Sequence, residues 1–168
     1  CDDKAVAEMQ NELKNSGATD EQIIEALQRF TDRVAMYFVV DDLMHLKRGG
    51  RLSGFAAFAG SLLSLKPVLT TDENGSLAVI AKKAGKKVAM RMLVNEVVEQ
   101  LTGTEFPVYV LDADCPDDGE WLAEQIRNAR PDAQIVRQTV GPVIGSHCGP
   151  GTVGVIFVAD QRPIPLKK

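Results

Sequence analysis

The 168-residue chain is poor in aromatic side chains, cysteine and histidine, and it has no excess of basic charge. Its 23 Asp and Glu residues outnumber its 19 Lys and Arg residues, which gives a formal net charge of −4. Because nucleic-acid-binding domains are usually basic, this balance argues against a nucleic-acid partner. The three cysteines lie far apart and form no CxxC pair, so neither a disulfide framework nor a zinc site is expected, and a cytoplasmic location is predicted.

Long hydrophobic runs are also lacking. The longest mainly apolar runs, "FAAFAGSLLSL" and "VGVIFVA", are well short of the roughly 20 residues that a membrane-spanning helix needs. The first residues, "CDDKAVAEMQ", have neither the basic start nor the apolar stretch of a secretory signal. Since the chain starts at Cys1 inside a helical pattern, we expect it to be a fragment of a longer protein.

Hydrophobic periodicity predicts an α/β protein with a mixed, partly antiparallel sheet and flanking helices. The longer helices are predicted at residues 3–15, 19–30, 85–102 and 117–130, and strands at 34–40, 66–81, 107–113, 133–140 and 151–159. The strand region 66–81 is interrupted by Asn74-Gly75, a pair that favours a type I′ hairpin turn and therefore an antiparallel pair. Capping-box spacing predicts helix starts at Thr19 and Asp117. Two further short helices are predicted in "DDLMHLKRGG" and "SGFAAFAGSLLS".

The segment "GSHCGPGTVG" is open to three interpretations. His147 and Cys148 have the residue types of a cysteine or histidine hydrolase, but neighbouring side chains in an extended segment face opposite sides. Alternatively, the glycines expose backbone N–H groups that could bind an oxyanion, with His147 or Thr152 adding a directed hydrogen bond. The segment could also be a tight turn before a strand, with Cys148 as a small buried residue.

A second unusual segment, "LKRGGRLSGFAAFAGSLLSLKP", places basic residues immediately before an apolar stretch. A solvated turn is one explanation. An arginine at the mouth of an apolar pocket would also suit a ligand that has one carboxylate and a long tail. The candidate tail-lining residues are Phe55, Phe58, Leu62 and Leu65, which could equally be ordinary core. The basic run "KKAGKK" at 82–87 is either a solvated helix start or a docking patch for an acidic partner.

Three segments, in this order, resemble the C-terminal domain of the DegV family of bacterial fatty-acid-binding proteins. "LKRGGRLS" is similar to the family's leucine-x-x-glycine-glycine-arginine motif, and "GSLLSLKPVL" to its serine- and leucine-rich segment that ends in lysine and proline. "HCGPGTVG" is similar to the family's histidine-x-glycine-proline-glycine motif. The resemblance extends over residues 37–157 and therefore covers most of the chain.

The resemblance implies a lipid carrier that is not itself an enzyme. Family members hold one long-chain fatty acid in an apolar tunnel between two domains, and some present its carboxylate to a separate ATP-using kinase subunit that forms an acyl-phosphate. No cofactor, nucleotide or metal is implied for the binding protein. By the matching motifs, Arg51 is expected near the head group and partner surface, and His147 at the carboxylate. Phe55, Phe58, Leu62, Leu65 and Thr152 are expected around the acyl chain.

The resemblance also implies a division of the chain. Residues 1–32 are expected to be a helical lead-in from an N-terminal domain that the chain does not contain, and residues 33–168 to be the C-terminal α/β domain. The family's N-terminal domain supplies hydroxyl groups to the carboxylate, so half of the head-group site is expected to be missing. A hydrolase that uses Cys148 and His147 and a protein-interaction module without lipid are the alternatives.

Overall fold

In the computed structural model, residues 2–50 and 65–164 are described. Six helices and six strands lie in this part of the chain, with the predicted α/β alternation. In chain order, the elements are α1 Asp2–Asn15, α2 Asp20–Thr31, β1 Val34–Val39, α3 Leu43–Arg48, β2 Leu65–Thr71, β3 Leu77–Ala84, α4 Lys86–Gln100, β4 Val108–Ala113, α5 Pro116–Ala129, β5 Ile135–Thr139, α6 Pro142–Cys148 and β6 Thr152–Val158. No helix in the described ranges is long and apolar enough to cross a membrane.

The strands form one mixed sheet in the order β3-β2-β1-β6-β4-β5. β1 lies between β2 and β6 and is antiparallel to both. β4 is antiparallel to β6 and parallel to β5. The mixed, partly antiparallel sheet with flanking helices was predicted from the sequence and is confirmed.

Helices α4 and α5 cover one face of the sheet and form the main hydrophobic core with it. The apolar stripe predicted for α4 is buried there, and Met90, Leu93 and Val97 are all fully inaccessible to solvent. They pack with Tyr37 and Phe157, which project from β1 and β6 toward the same side. Burial of one helix face against a twisted sheet supplies most of the stability of such a domain.

The opposite face of the sheet has two smaller apolar clusters, one at each end. At one end, Leu46 of α3 and Cys148 of α6 pack against Leu69 and Phe38. At the other end, Phe30 of α2, together with Phe106, packs against Val34 and Val158. Helices α3 and α6 therefore cover this face at one end of the strands, and helix α2 covers it at the other end.

Three local predictions differ from the structure. The segment around His147 is helical rather than a turn, because α6 includes Pro142–Cys148. Helix α5 begins at Pro116, with Cys115 at its N-cap, and the predicted capping box at Asp117 does not form. Proline is favourable at the first helical position because it has no N–H group to leave unsatisfied, so the N-cap lies two residues earlier than predicted.

The hairpin between β2 and β3 forms, but its turn is not of type I′. That turn requires positive φ at both central residues, whereas Gly75 has a φ of +76° and Asn74 does not lie in the positive-φ region. The Asp72 side chain accepts hydrogen bonds from the backbone N–H groups of Asn74 and Ser76, both at 2.8 Å. These two bonds stabilise a longer turn than the Asn-Gly pair by itself predicts.

Candidate functional site

Most residues predicted around the ligand tail lie outside the described part of the chain. These residues are Phe55, Phe58 and Leu62, and Arg51, which is predicted at the head group, also lies outside the described part. Leu65 is described: it is half-buried at the first position of β2 and pairs with Ala84 of β3. The candidate site therefore has to be built from the segments that precede and follow residues 51–64.

Helix α6 places His147 in its last turn, next to α3 at one end of the sheet. The imidazole is half-buried, while Val143 and Ile144 in the first turn of α6 are 73% and 62% exposed. His45 lies on α3, so both histidines of the chain are on the two short helices that contact each other. The site thus combines the "DDLMHLKRGG" and "GSHCGPG" segments.

Three glycines, Gly49, Gly149 and Gly151, allow these two segments to approach each other closely. We call this arrangement the glycine interlock. A methyl group on Gly49 would lie 2.8 Å from Nδ1 of His147, and one on Gly149 would lie 2.6 Å from Cγ of His45. A methyl group on Gly151 would overlap the Asp41 carboxylate. In each of these three contacts, one segment contributes a side chain and the other a glycine. The position of His147 therefore depends on residues 41–49.

The loop between α6 and β6 is held by its own polar contacts. Gly151 has a φ of +78°, and its backbone N–H donates to the carbonyl oxygen of Ala113 at 2.7 Å. The Thr152 hydroxyl donates to the carbonyl oxygen of Cys148 at 3.0 Å. Thr152 is 4% exposed, so its hydroxyl closes the loop. Its predicted place beside an acyl chain stays a prediction.

The cysteine in this segment is packed in the core. Cys148 is 5% exposed and belongs to the apolar cluster with Leu46 and Leu69. Cysteine catalysis requires an accessible thiolate near a base, whereas this thiol is surrounded by aliphatic side chains. The structure favours the interpretation of Cys148 as a small buried residue over that of a nucleophile.

A group of charged side chains lies beside the glycine interlock. The Lys66 ammonium donates to the backbone carbonyl of Asp41 at 2.8 Å and to its carboxylate at 3.0 Å. The Lys86 ammonium lies 3.4 Å from the Asp41 carboxylate and 2.7 Å from that of Asp118. Burial raises the pKa of Asp41, but the hydrogen bond from Lys66 and the two ammonium charges outweigh burial and leave the pKa below its usual value.

The basic run at 82–87 is therefore not a uniform solvated patch. The side chain of Lys86 is 17% exposed and neutralised by two carboxylates, and Lys87 lies over the ring of Trp121, 4.3 Å from its centroid. Burial lowers the pKa of Lys86, but the hydrogen bond that Lys86 donates to Asp118 and the charge of Asp41 outweigh burial, so the pKa is raised. Lys86 and Lys87 thus both have structural partners.

Between its two end clusters, the second face of the sheet presents a row of apolar side chains that we call the open strip. It consists of Met36, Ile156, Tyr109 and Val136, which are neighbours across β1, β6, β4 and β5. These four belong to none of the hydrophobic clusters formed by the described residues, and Val136 is 36% exposed. With adjacent strands about 4.8 Å apart, the row extends over about 14 Å.

Neither the open strip nor the charged group of Asp41, Lys66, Lys86 and Asp118 was predicted from the sequence. The signal for the strip is present in β1 and β4, which are apolar at almost every position and therefore on both faces. A nearly continuous apolar run of this kind does not show which face a helix covers. No group of three or more potential metal ligands was found among the described residues.

The comparisons with known proteins agree on one family. The family model described as "Uncharacterised protein, DegV family" matches residues 3–160. A DegV domain-containing protein of Clostridium perfringens is 39% identical over 152 residues, which cover 90% of this chain and 52% of that protein. The chain thus spans about half the length of the curated relatives that it matches.

Two solved structures have the same fold. A fatty-acid-binding DegV family protein from Streptococcus agalactiae superposes with a TM-score of 0.83 at 29% identity, covering 91% of this chain and 55% of that one. The fatty acid kinase B3 protein of Streptococcus pneumoniae, loaded with linoleic acid, superposes with a TM-score of 0.77 at 22% identity, covering 93% and 55%. The family match and the common fold lead to one conclusion: the chain belongs to the DegV family.

Proposed function

We propose that this chain is the C-terminal half of a protein that binds one long-chain fatty acid and presents its carboxylate to a separate kinase subunit. Residues 1–32 would lead in from an N-terminal domain, and residues 33–168 would form the half that carries His147. The proposal is supported by similar structures of DegV family proteins that are named for fatty-acid binding. Another similar structure is named as a fatty acid kinase B protein.

The single observation in this chain that carries the proposal is the open strip. Apolar side chains on a sheet face are stabilised when a second apolar surface covers them, and each CH₂ group of an acyl chain buried there contributes about 0.8 kcal/mol. The strip is flanked by α2 along one side and by α3 and α6 along the other. An acyl chain on the strip would therefore have α6 beside it, and the proposal places its carboxylate at His147 of that helix.

His147 suits the carboxylate because it is half-buried and held in place by the glycine interlock. An imidazole N–H that donates to a carboxylate makes a charge-assisted hydrogen bond, which is stronger than a neutral one. Arg51, which lies outside the described residues, would act at the head group and the partner surface. Presentation to a kinase is consistent with the exposed apolar residues Val143 and Ile144 on the same helix.

Native mass spectrometry of the complete protein, purified from a bacterial host, tests fatty-acid binding directly. We expect a mass increase of one fatty acid, lost on delipidation and restored when fatty acid is added. A protein that is isolated empty and also ignores added fatty acid would contradict the proposal.

The open strip can be tested with one substitution and one matched control. Ile156→Ser places a hydroxyl in the middle of the strip and is expected to weaken fatty-acid binding about tenfold, from the loss of about 1.4 kcal/mol of apolar contact. Val143→Ser changes a side chain of similar character that is 73% exposed on α6, and it is expected to leave the affinity unchanged. Equal affinities for the two variants would remove the strip from the site.

The kinase step is tested in a reconstituted assay with the ATP-using subunit and labelled ATP. We expect His147→Ala and Arg51→Ala to lose acyl-phosphate formation. Normal turnover in both variants would exclude the two residues from the head-group site. A hydrolase that uses Cys148 is tested with a thiol-directed reagent: the 5% exposed thiol should react slowly, and its substitution by alanine should leave fatty-acid binding intact.

A further inference from the structure

We propose that Asp41 is a positioning residue that fixes His147 relative to the segment leading to Arg51. This inference rests on the proposed function for its biological meaning, although its structural part can be tested in this chain alone. Asp41 lies two residues after the end of β1 and two residues before the start of α3, so it stands at the start of the segment that ends in the Gly49-Gly50-Arg51 motif.

Asp41 joins the three segments that form the candidate site. Its backbone carbonyl and its carboxylate both accept from Lys66, the lysine of "SLKPVL" at the end of the undescribed segment. On the other side, its carboxylate fills the space that a side chain on Gly151 would occupy. Residues 41–50, 65–71 and 147–152 therefore meet at a single carboxylate.

Gly151 is connected to His147 through the hydrogen-bonded loop that follows helix α6. Gly151 is anchored to the carbonyl of Ala113, and the next residue, Thr152, donates back to the carbonyl of Cys148. The loop from Cys148 to Thr152 therefore has little freedom to move independently of helix α6. A displacement of Gly151 would pass to the last turn of the helix, where His147 lies.

The charge of Asp41 is needed as well as its size. Its carboxylate lies between two ammonium groups, those of Lys66 and Lys86, at 3.0 and 3.4 Å. An uncharged residue of the same shape would leave these two cations with less compensation, and they would repel each other. We therefore expect even the isosteric Asp41→Asn substitution to loosen the contact with Gly151.

Asp118→Asn is the matched control, because Asp118 is the second carboxylate on Lys86 and makes an even shorter contact with it, 2.7 Å. Asp118 lies in the first turn of α5, and its ion pair is with Lys86. Both variants remove one negative charge beside the same lysine. They differ in that Asp41 alone of the two contacts the His147 segment.

The test is two-dimensional NMR of this 168-residue chain, with the imidazole of His147 and the backbone amides of Gly149 and Gly151 as reporters. We expect Asp41→Asn to shift these resonances and to raise the amide exchange rate of Gly151 about tenfold. The Asp118→Asn variant is expected to leave all of them at wild-type values. If Asp41→Asn does not fold, Lys66→Gln, which removes the donor to Asp41, should shift the same resonances.

Three results would overturn the inference: unshifted reporters in Asp41→Asn, equal shifts in Asp118→Asn, or unshifted reporters in Lys66→Gln when Asp41→Asn cannot be folded. In the complete protein, we further expect Asp41→Asn to weaken fatty-acid binding about tenfold. If the wild-type protein binds no fatty acid, the proposed function fails, whereas the NMR result still decides whether Asp41 positions His147. The two failures are therefore distinguishable.

Discussion

Replacing Gly49 by alanine should move His147 without unfolding the domain. Gly49 has a φ of −74° and a ψ of 0°, which alanine adopts without strain. The new methyl group would lie 2.8 Å from Nδ1 of His147, whereas an ordinary contact of a Cβ atom starts at 3.4 Å. The imidazole must therefore shift by roughly 0.6 Å or rotate away, because packed groups do not overlap.

The size of the expected effect follows from the geometry of a hydrogen bond. Donor and acceptor normally lie about 2.7–3.2 Å apart, so a shift of roughly 0.6 Å takes most such bonds out of range. A hydrogen bond to a charged group is worth about 1.5–3 kcal/mol, and each 1.4 kcal/mol is a factor of ten in affinity. We therefore expect Gly49→Ala to weaken fatty-acid binding about 10- to 100-fold, while the free energy of unfolding changes by less than about 1 kcal/mol.

Gly145→Ala is the matched control, since it is the same chemical change in the helix that carries His147. The methyl group would find its nearest neighbour, the carbonyl oxygen of Val140, at 3.9 Å, which is an ordinary contact. Alanine is favoured over glycine inside a helix by up to about 1 kcal/mol, so this variant should be slightly more stable and bind normally.

Isothermal titration calorimetry of the complete protein with a long-chain fatty acid gives the affinities, and thermal denaturation gives the stabilities. The His147 imidazole resonances of the chain report the displacement independently of binding. Wild-type affinity and unshifted resonances in Gly49→Ala would refute the reasoning. An equal loss of affinity in Gly145→Ala would mean that the effect is not specific to the contact with His147.

Three further predictions concern the scaffold. Arg137→Ala should destabilise the domain by about 2–3 kcal/mol in urea unfolding, because Asp112, which is 5% exposed, loses its partner at 3.2 Å. Arg127→Ala removes a 48% exposed side chain and should change the free energy of unfolding by less than about 0.5 kcal/mol. Similar losses in both variants would contradict this expectation. Burial raises the pKa of Tyr37, and the charge of Glu96 and a hydrogen bond with Glu96 raise it further. In an ultraviolet pH titration, this phenol should therefore ionise only when the protein unfolds. Early ionisation of both tyrosines would show that Tyr37 is accessible. Because the pKa of Asp41 is lower in the folded than in the unfolded protein, its carboxylate contributes stability above the unfolded pKa of 3.8. This stability is lost as the pH falls through the folded pKa. On acidification below about pH 4, Asp41→Asn should therefore lose less stability than the wild type.

How far the sequence predicted the fold depended on how local each signal was. The capping box at Thr19 was predicted and forms, because its hydrogen bonds join residues three apart: Thr19 accepts from Gln22, and Gln22 accepts from Thr19. The stripe of α4 was also predicted, since a 15-residue helix with a repeated apolar pattern has few alternatives. Helix α6 was not predicted, because proline, glycine and the β-branched residues Val143 and Ile144 give it a low intrinsic helix propensity. Its packing against α3 stabilises it instead.

The candidate site was predicted only as a set of motifs. Glycine-rich segments around a histidine indicated a close approach of backbone to something, but not what approached it. The structure shows that the approaching groups are side chains of the other motif, with His147 against Gly49 and His45 against Gly149. Residues distant in the sequence do not reveal such contacts, because spacing along one segment carries no information about its partner.

By itself, the sequence determined the succession of the longer helices and of the strands, the antiparallel hairpin and the family to which the three motifs point. These follow from periodicity, turn residues and ordered short motifs, all of which act over a few residues. The tertiary structure decided which sheet face carries the open strip between the end clusters of the described residues, that Lys86 is neutralised by Asp41 and Asp118, and that the two motif segments interlock through glycines. Burial, charge pairing and close packing are properties of groups brought together by the whole fold, so no single segment could specify them.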